Sequence, residues 1–114
     1  MKLKFKNIIP EIIIPPEIYT QDFVEADISK AFGISLRNLR TYKKLSLNAL
    51  SEKVDIPNPT INRYENGINI PTITQAIKLT EYFKVSIEEM ILLGIIDENG
   101  QKIVELCKKR AHEE

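Results

Sequence analysis

The sequence predicts an all-α fold: a run of five helices, preceded by an extended arm and followed by one further helix. Three observations predict it. From residue 29 onward apolar residues recur at three- and four-residue spacing, the period of a helix with one buried face. The stretches open on residue types that cap helix N-termini: Ser29, Ser46, Asn58, Thr72 and Ser86. Pro, Gly and Asn punctuate them, at Pro57–Pro59, Asn66–Gly67, Pro71 and Gly94.

Taken in order, Lys2–Lys6 alternates Lys with Leu3 and Phe5, a short strand signal. Pro10, Pro15 and Pro16 then bracket Ile12–Ile14, so residues 1–28 read as an extended arm, with a disordered leader as the alternative. Its period of two suits addition to a partner chain's sheet. Residues 20–27 form a short helix or the lead-in to the next one. Ser29 opens the first full helix, with Phe32, Leu36 and Leu39 inward, ending near Lys44. Ser46 caps a second, with Leu47, Leu50 and Val54 inward. Asn58, followed by Pro59, caps a third that carries Ile61 and Tyr64 inward and stops at Asn66-Gly67. Thr72 with Gln75 and Ser86 with Glu89 are capping boxes. The first opens a fourth helix with Ile73, Ala76, Ile77 and Phe83 inward. The second opens a fifth through Ile87, Met90 and Ile91, closed by Gly94. Asp97–Gly100 is turn-like, and residues 101–112 form a last helix whose Lys108-Lys109-Arg110 run reads as a solvated end that complements the helix dipole, with a phosphate contact as the alternative. The organisation is an arm (1–28), a helical domain (29–94) and a helical extension (95–114).

The chain has 114 residues, room for one domain and a short appendage. Its 16 basic and 16 acidic side chains cancel, so the strongly basic balance typical of nucleic-acid binders is missing. The balance is uneven along the chain, however. Residues 1–29 carry −2, residues 30–70 carry +4 and residues 71–114 carry −2. Fields at ordinary salt act over about 10 Å, so the segment matters more than the total. One cysteine, Cys107, excludes an intrachain disulfide or a zinc cluster, and points to a reducing, cytoplasmic setting. His112, in a charged tail, reads as solvated. No apolar run is long enough to span a membrane. No Gly-rich phosphate loop, metal-ligand cluster or His-activated nucleophile is present, so neither catalytic residues nor a metal or cofactor site are expected and the chain does not read as an enzyme.

Two short helices joined by a tight turn, inside a five-helix run, make a helix-turn-helix pattern. The residues sharpen it: Leu36-Arg37-Asn38-Leu39-Arg40, Leu45-Ser46, Ala49-Leu50-Ser51 with Val54, Thr60 through Gly67, Pro71 with Ile73, and Phe83 through Met90. Over residues 30–92 this strongly resembles the Cro/C1-type (XRE, lambda repressor-like) helix-turn-helix DNA-binding proteins, with Tyr64-Glu65-Asn66-Gly67 and Val85-Ser86 the most specific blocks.

The resemblance implies a function and a set of roles. The chain would be a sequence-specific transcriptional regulator, nucleoid-associated, a repressor binding a pseudo-palindromic operator as a homodimer. Ala49 would sit where helices two and three cross. Arg40 and Glu65 match a family salt bridge that sets the angle of helix three, the recognition helix; a solvated Arg40 is the alternative. Helix three would present Asn58, Pro59, Asn62 and Arg63 to the major groove, with Thr60 at the edge. Arg63 suits guanine, and Asn62 or Asn58 suits adenine. Ser46 and Leu47, at the start of helix two, would place backbone N–H groups on a phosphate. Asn66, Gly67 and Asn69 would meet the backbone on the other side, with Arg37, Lys43 and Lys44 adding positive potential.

Departures from the family pattern are specific. Leu47 stands where Gln is usual, Pro57 and Pro59 stand where polar residues are usual, and Lys84 replaces a Gly after helix four. They reduce the base-reading set and leave more to DNA shape. Together with the neutral charge and the Ile-rich arm, they also support an alternative: a protein-interaction module such as the antitoxin of a toxin–antitoxin pair, which would also bind its own promoter. Two surfaces are candidates for dimerisation, the arm (Leu3, Phe5, Ile8–Ile14) and the Ile91–Ile96 to Cys107 region.

Overall fold

The computed structural model describes residues 2–6 and 9–113, the side chains of His112 and Glu113 excepted. The expectations placed on Ile8 and His112 lie outside the described residues. After a 3₁₀ turn at Pro16–Thr20 come six helices: α1 (Glu25–Tyr42), α2 (Leu47–Val54), α3 (Asn58–Glu65), α4 (Ile73–Phe83), α5 (Ile87–Ile96) and α6 (Gln101–Glu113). The all-α class, a helix-turn-helix run followed by a C-terminal helix, is as the sequence predicts.

Long helix α1 is the axis of the molecule, packing against α5, α3 and α6. Its buried stripe is Ala31, Phe32, Ser35, Leu36 and Leu39. Two glycines permit backbone-to-backbone approach on either side of it. A Cβ at Gly33 would lie 2.4 Å from the Tyr64 carbonyl oxygen at the end of α3, and a Cβ at Gly94 of α5 would lie 2.2 Å from that of Ala31. Gly94 therefore does not close α5, as its residue type suggested. It sits inside a helix that runs on to Ile96, where its missing side chain lets α5 press on α1.

Other local expectations change as well. α1 starts four residues before Ser29. Its first turn carries Glu25 and Asp27, which suits the dipole, and Asp27 Oδ2 accepts the Val24 N–H at 3.1 Å. Ser29 lies inside the helix and donates back to the Glu25 carbonyl at 3.0 Å. Pro57, not Asn58, is the N-cap of α3: its carbonyl accepts the N–H groups of Thr60 and Ile61 at 3.0 and 3.1 Å. Ser46 caps α2, accepting the Ala49 N–H at 3.0 Å. The Ser86–Glu89 box closes in both directions. The Thr72 box closes in one, because the Gln75 side chain accepts from the Tyr64 hydroxyl instead. In α4, Ala76, Leu79, Thr80 and Phe83 face the core, while Ile73 and Ile77, expected inward, are exposed.

The arm is ordered against its own chain. The expected strand reduces to one antiparallel bridge, Leu3 to Phe23, with N–H···O distances of 2.8 and 2.9 Å. Phe5 packs on Phe23 with ring centroids 5.7 Å apart, and Ile9 and Ile12 are buried in the common core. Only Ile13 of the 12–14 run stands well clear of it. The arm's isoleucines thus give no separate support to a protein partner or to dimerisation. The second expected dimer surface is likewise largely internal: Leu92, Leu93, Ile103, Leu106 and Cys107 are core, and Ile91, Ile95 and Ile96 pack on it.

The Lys108-Lys109-Arg110 run is not a solvated end. Arg110 bonds both Glu89 oxygens and Glu11 Oε2, the last at 3.0 Å, and Lys109 Nζ donates to the Glu11 carbonyl at 2.8 Å. α6 therefore clamps the arm to the N-terminus of α5. Among the described residues no helix is long and apolar enough to cross a membrane, and no group of His, Cys, Asp and Glu is arranged to hold a metal ion.

Candidate nucleic-acid interface

α2 and α3 are eight-residue helices joined at Asp55–Pro57. The turn is tight because Asp55 takes a left-handed conformation (φ 54°) and Ile56 is driven into the core. Ser51 Oγ donates to the Ile56 carbonyl at 2.6 Å, tying the turn back to α2. On the inner face of α3, Ile61, Tyr64 and Glu65 are buried, so the opposite face is the one presented outward.

The angle of α3 is fixed by a charge pair. Arg40 Nε meets Glu65 Oε2 at 2.6 Å and Arg40 Nη2 meets Oε1 at 2.9 Å, a two-pronged contact, while Nη1 donates to the Leu45 carbonyl at 2.9 Å. Glu65 is almost wholly buried and Arg40 mostly so. The hydrogen bond to Glu65 raises the Arg40 pKa further, so the guanidinium is permanently charged. Burial raises the Tyr64 hydroxyl above the ordinary tyrosine range, and it donates to Gln75 as a neutral group.

The expected contact residues fall into three sets. Pro59, Asn62 and Arg63 are exposed on α3, and Asn66 and Asn69 are exposed just beyond it. They form a linked surface: Arg63 Nε donates to Asn69 Oδ1 at 2.6 Å, Arg37 Nη2 donates to Asn66 Oδ1 at 2.8 Å, and Asn66 Nδ2 donates to the Asn62 carbonyl at 2.8 Å. The two Nη groups of Arg63 make no hydrogen bond among the described residues, and they are the ones a guanine edge would use. A second set, Ser46, Lys43 and Lys44, is exposed where α1 passes into α2. The third set is partly withdrawn. Leu47 packs on the core, Thr60 is half-buried, and half-buried Asn58 bonds across the turn to Asn48.

Sequence reasoning missed two contributors. Asn48 fixes Asn58, but nothing in a lone Asn at the start of α2 signals a partner ten residues on. Gly33 seats α1 on the end of α3. A glycine inside a helical pattern is itself a hint of close approach, and Gly33 was legible on that ground.

Comparison with known proteins agrees with this geometry. Residues 36–90 match the profile of the helix-turn-helix family. A protein of Methanocella arvoryzae, assigned by name to the HTH-type transcriptional regulatory proteins, is 38% identical over 71 residues, 60% of this chain and 20% of that protein. One of Methanoregula boonei with the same assignment is 32% identical over 81 residues, 68% of this chain and 24% of that protein. The chain thus spans about a fifth to a quarter of the length of these relatives. No solved structure matches it. Residues 36–90, which carry α2, α3 and α4 with the Arg40–Glu65 lock between helices one and three, are thus a helix-turn-helix segment of the Cro/C1 type.

Proposed function

We propose that this chain is a DNA-binding transcriptional regulator that inserts α3 into the major groove and, as a homodimer on a pseudo-palindromic operator, represses by occlusion. The observation that carries the reading is the outward face of α3. Asn62 and Arg63 are exposed there on a helix whose other face is buried and whose angle is held by Arg40 and Glu65. Arg63 reads guanine through its two Nη groups, and Asn62 contacts an adenine or a phosphate. Asn58, committed to Asn48, holds the turn rather than reading a base. Pro59 offers apolar contact to a thymine methyl. Lys43, Lys44 and the exposed start of α2 at Ser46 meet the phosphate backbone on one side of the groove, and Asn66, Asn69 and Arg37 meet it on the other. The +4 segment 30–70 contains this surface, and the two −2 segments lie outside it.

Selection of bound duplexes from a randomised pool, followed by titration of the recovered site, tests the proposal. A dimer neutralising about six phosphates gives a log–log salt slope near −5. Arg63→Ala weakens binding to the selected site by about 1–3 kcal/mol and relaxes preference at one base position. A slope near zero, or an Arg63→Ala chain that binds as well as the parent, overturns the reading.

A further inference from the structure

Two lysines from different helices rest on one aromatic ring. The Lys43 ammonium lies 5.9 Å from the ring centroid of Tyr42, and the Lys108 ammonium lies 5.5 Å from it. Tyr42 is the last residue of α1 and Lys43 is its C-cap. Lys108 belongs to α6, outside the matched segment 36–90. The same two elements border a hollow of about 90 Å³ whose lining includes Lys43, Lys84, Cys107 and Arg110 and no acidic side chain. Within the Lys108-Lys109-Arg110 run, Arg110 is held by Glu11 and Glu89, and Lys109 by the Glu11 carbonyl. Lys108 is exposed, and its contact among the described residues is the Tyr42 ring, with no hydrogen bond or ion pair.

We infer that Lys108 is a further contact to the DNA backbone: α6 carries it to the end of α1, where it joins Lys43 and Lys44 on the phosphates beside the start of α2. The inference rests on the DNA-binding reading above and adds to it a contact from outside the helix-turn-helix unit. Capping of α1 does not call for Lys108. The carbonyls of Leu39, Arg40 and Thr41 already accept the backbone N–H groups of Lys43, Leu45 and Lys44. Nor does the ring account for two cations. An exposed cation–π contact is weak, and two ammonium groups drawn to one ring with no acid between them repel each other. An anion shared between them turns that repulsion into attraction. A single free phosphate in the hollow is a poor candidate, because its Arg110 is already engaged by two carboxylates. A row of phosphates fits better. Lys108, Lys43 and Lys44 lead to exposed Ser46, the N-cap of α2, so the ammonium groups follow one edge of the proposed interface. A lysine serves there as a point charge on a flexible stem, and it leaves the ring at little cost when a phosphate is present. Such a contact reads no base; it extends the footprint and fixes the register of the protein on the duplex.

The experiment titrates the full chain against the selected duplex over a range of salt, then repeats the titration with single phosphates replaced by neutral methylphosphonates. Lys108→Gln lowers affinity about tenfold near 0.1 M salt and reduces the log–log slope by about one per bound chain. The factor is the same on matched and mismatched sites. Lys108→Arg keeps the parental slope. Lys102→Gln, the same charge change on α6 away from Tyr42, keeps it too. At one phosphate, neutralisation weakens the parent and leaves Lys108→Gln unchanged, which assigns the contact. A parental slope in Lys108→Gln overturns the inference. So does an equal loss in Lys102→Gln, which would be an effect of net charge. So does a loss that no methylphosphonate position absorbs, which would be an effect on the fold. Arg63→Ala separates the two proposals: if it loses preference for the selected site while Lys108→Gln matches the parent, the DNA reading stands and the contact from α6 falls. A parent with no duplex affinity overturns both.

Discussion

The guanidinium of Arg40 holds both carboxylate oxygens of Glu65, at 2.6 and 2.9 Å, and spends its remaining nitrogen on the Leu45 carbonyl at 2.9 Å. Three elements meet at one side chain: α1, the loop that leads to α2, and the end of α3. Glu65 also takes a longer contact from Arg37 at 3.4 Å, so its charge faces two cations from the same helix.

Glu65→Gln keeps the shape and removes the charge. Breaking a buried pair from one side costs about 3–5 kcal/mol, and the substitution lies toward the lower end because Gln still accepts one hydrogen bond. Urea unfolding gives the measurement; a loss under 0.5 kcal/mol would mean that Glu65 is not the lock. Arg40→Ala is expected to cost a similar amount and to lower affinity for the selected duplex.

Stability falls in acid through the clamp at Arg110. Burial alone would raise the Glu89 pKa, but the hydrogen bonds from Arg110 and the Ser86 N–H outweigh it and hold it below the ordinary 4.5. The hydrogen bond from Arg110 lowers Glu11 likewise, helped by its own backbone N–H. A carboxylate depressed in the folded state contributes stability that is complete above its unfolded value and is lost as pH falls through the folded one. The urea midpoint is therefore level from neutrality down to about pH 5 and declines below 4.5. Glu11→Gln with Glu89→Gln lowers the neutral plateau and flattens the decline. An unchanged acid slope in that double variant counts against the clamp.

Gly33→Ala acts on the interface through the backbone. The new methyl meets the Tyr64 and Glu65 carbonyls at 2.4 and 2.7 Å, and α1 and α3 must part. Overpacking of this kind costs about 1–3 kcal/mol, and it also tilts α3. Duplex affinity falls by more than the stability loss accounts for, measured where both chains are fully folded. Equal affinity would show that α3 is positioned by its other contacts.

How much of this was legible in the sequence differs by the range of the interaction. Ser46, Ser86 and Glu89 announce themselves because a cap is a bond across three residues, and the Arg40–Glu65 pair was found through the family it resembles. Ser29 and Asn58 misled because cap-forming types also serve inside helices, and the true starts are set by Asp27 and by the Pro57 carbonyl. Ile73 and Ile77 fit an apolar period yet face outward, since periodicity marks a stripe without saying which of its edges the neighbours cover. Arg110 was read as solvated because its partners lie 21 and 99 residues away. The bond from Asn58 to Asn48 was out of reach of a local reading for the same reason, since Asn48 belongs to another helix.

Lys84 ends α4 at φ 59°, a left-handed position where the family pattern has glycine. Its backbone bonds do not need a side chain: the N–H donates to Glu81 and the carbonyl accepts from Arg110.

The two glycine contacts of α1 carry a mechanical consequence. Where backbone rests on backbone, no rotamer change can absorb a displacement. Gly33 joins α1 to the end of α3 and Gly94 joins it to α5 with no cushioning atoms between. A shift of α3 relative to α1 therefore has to move main chain and not only side chains. On the function proposed above, the cost of a groove of the wrong width would fall largely on the duplex, whose stiffness would then become part of what is read.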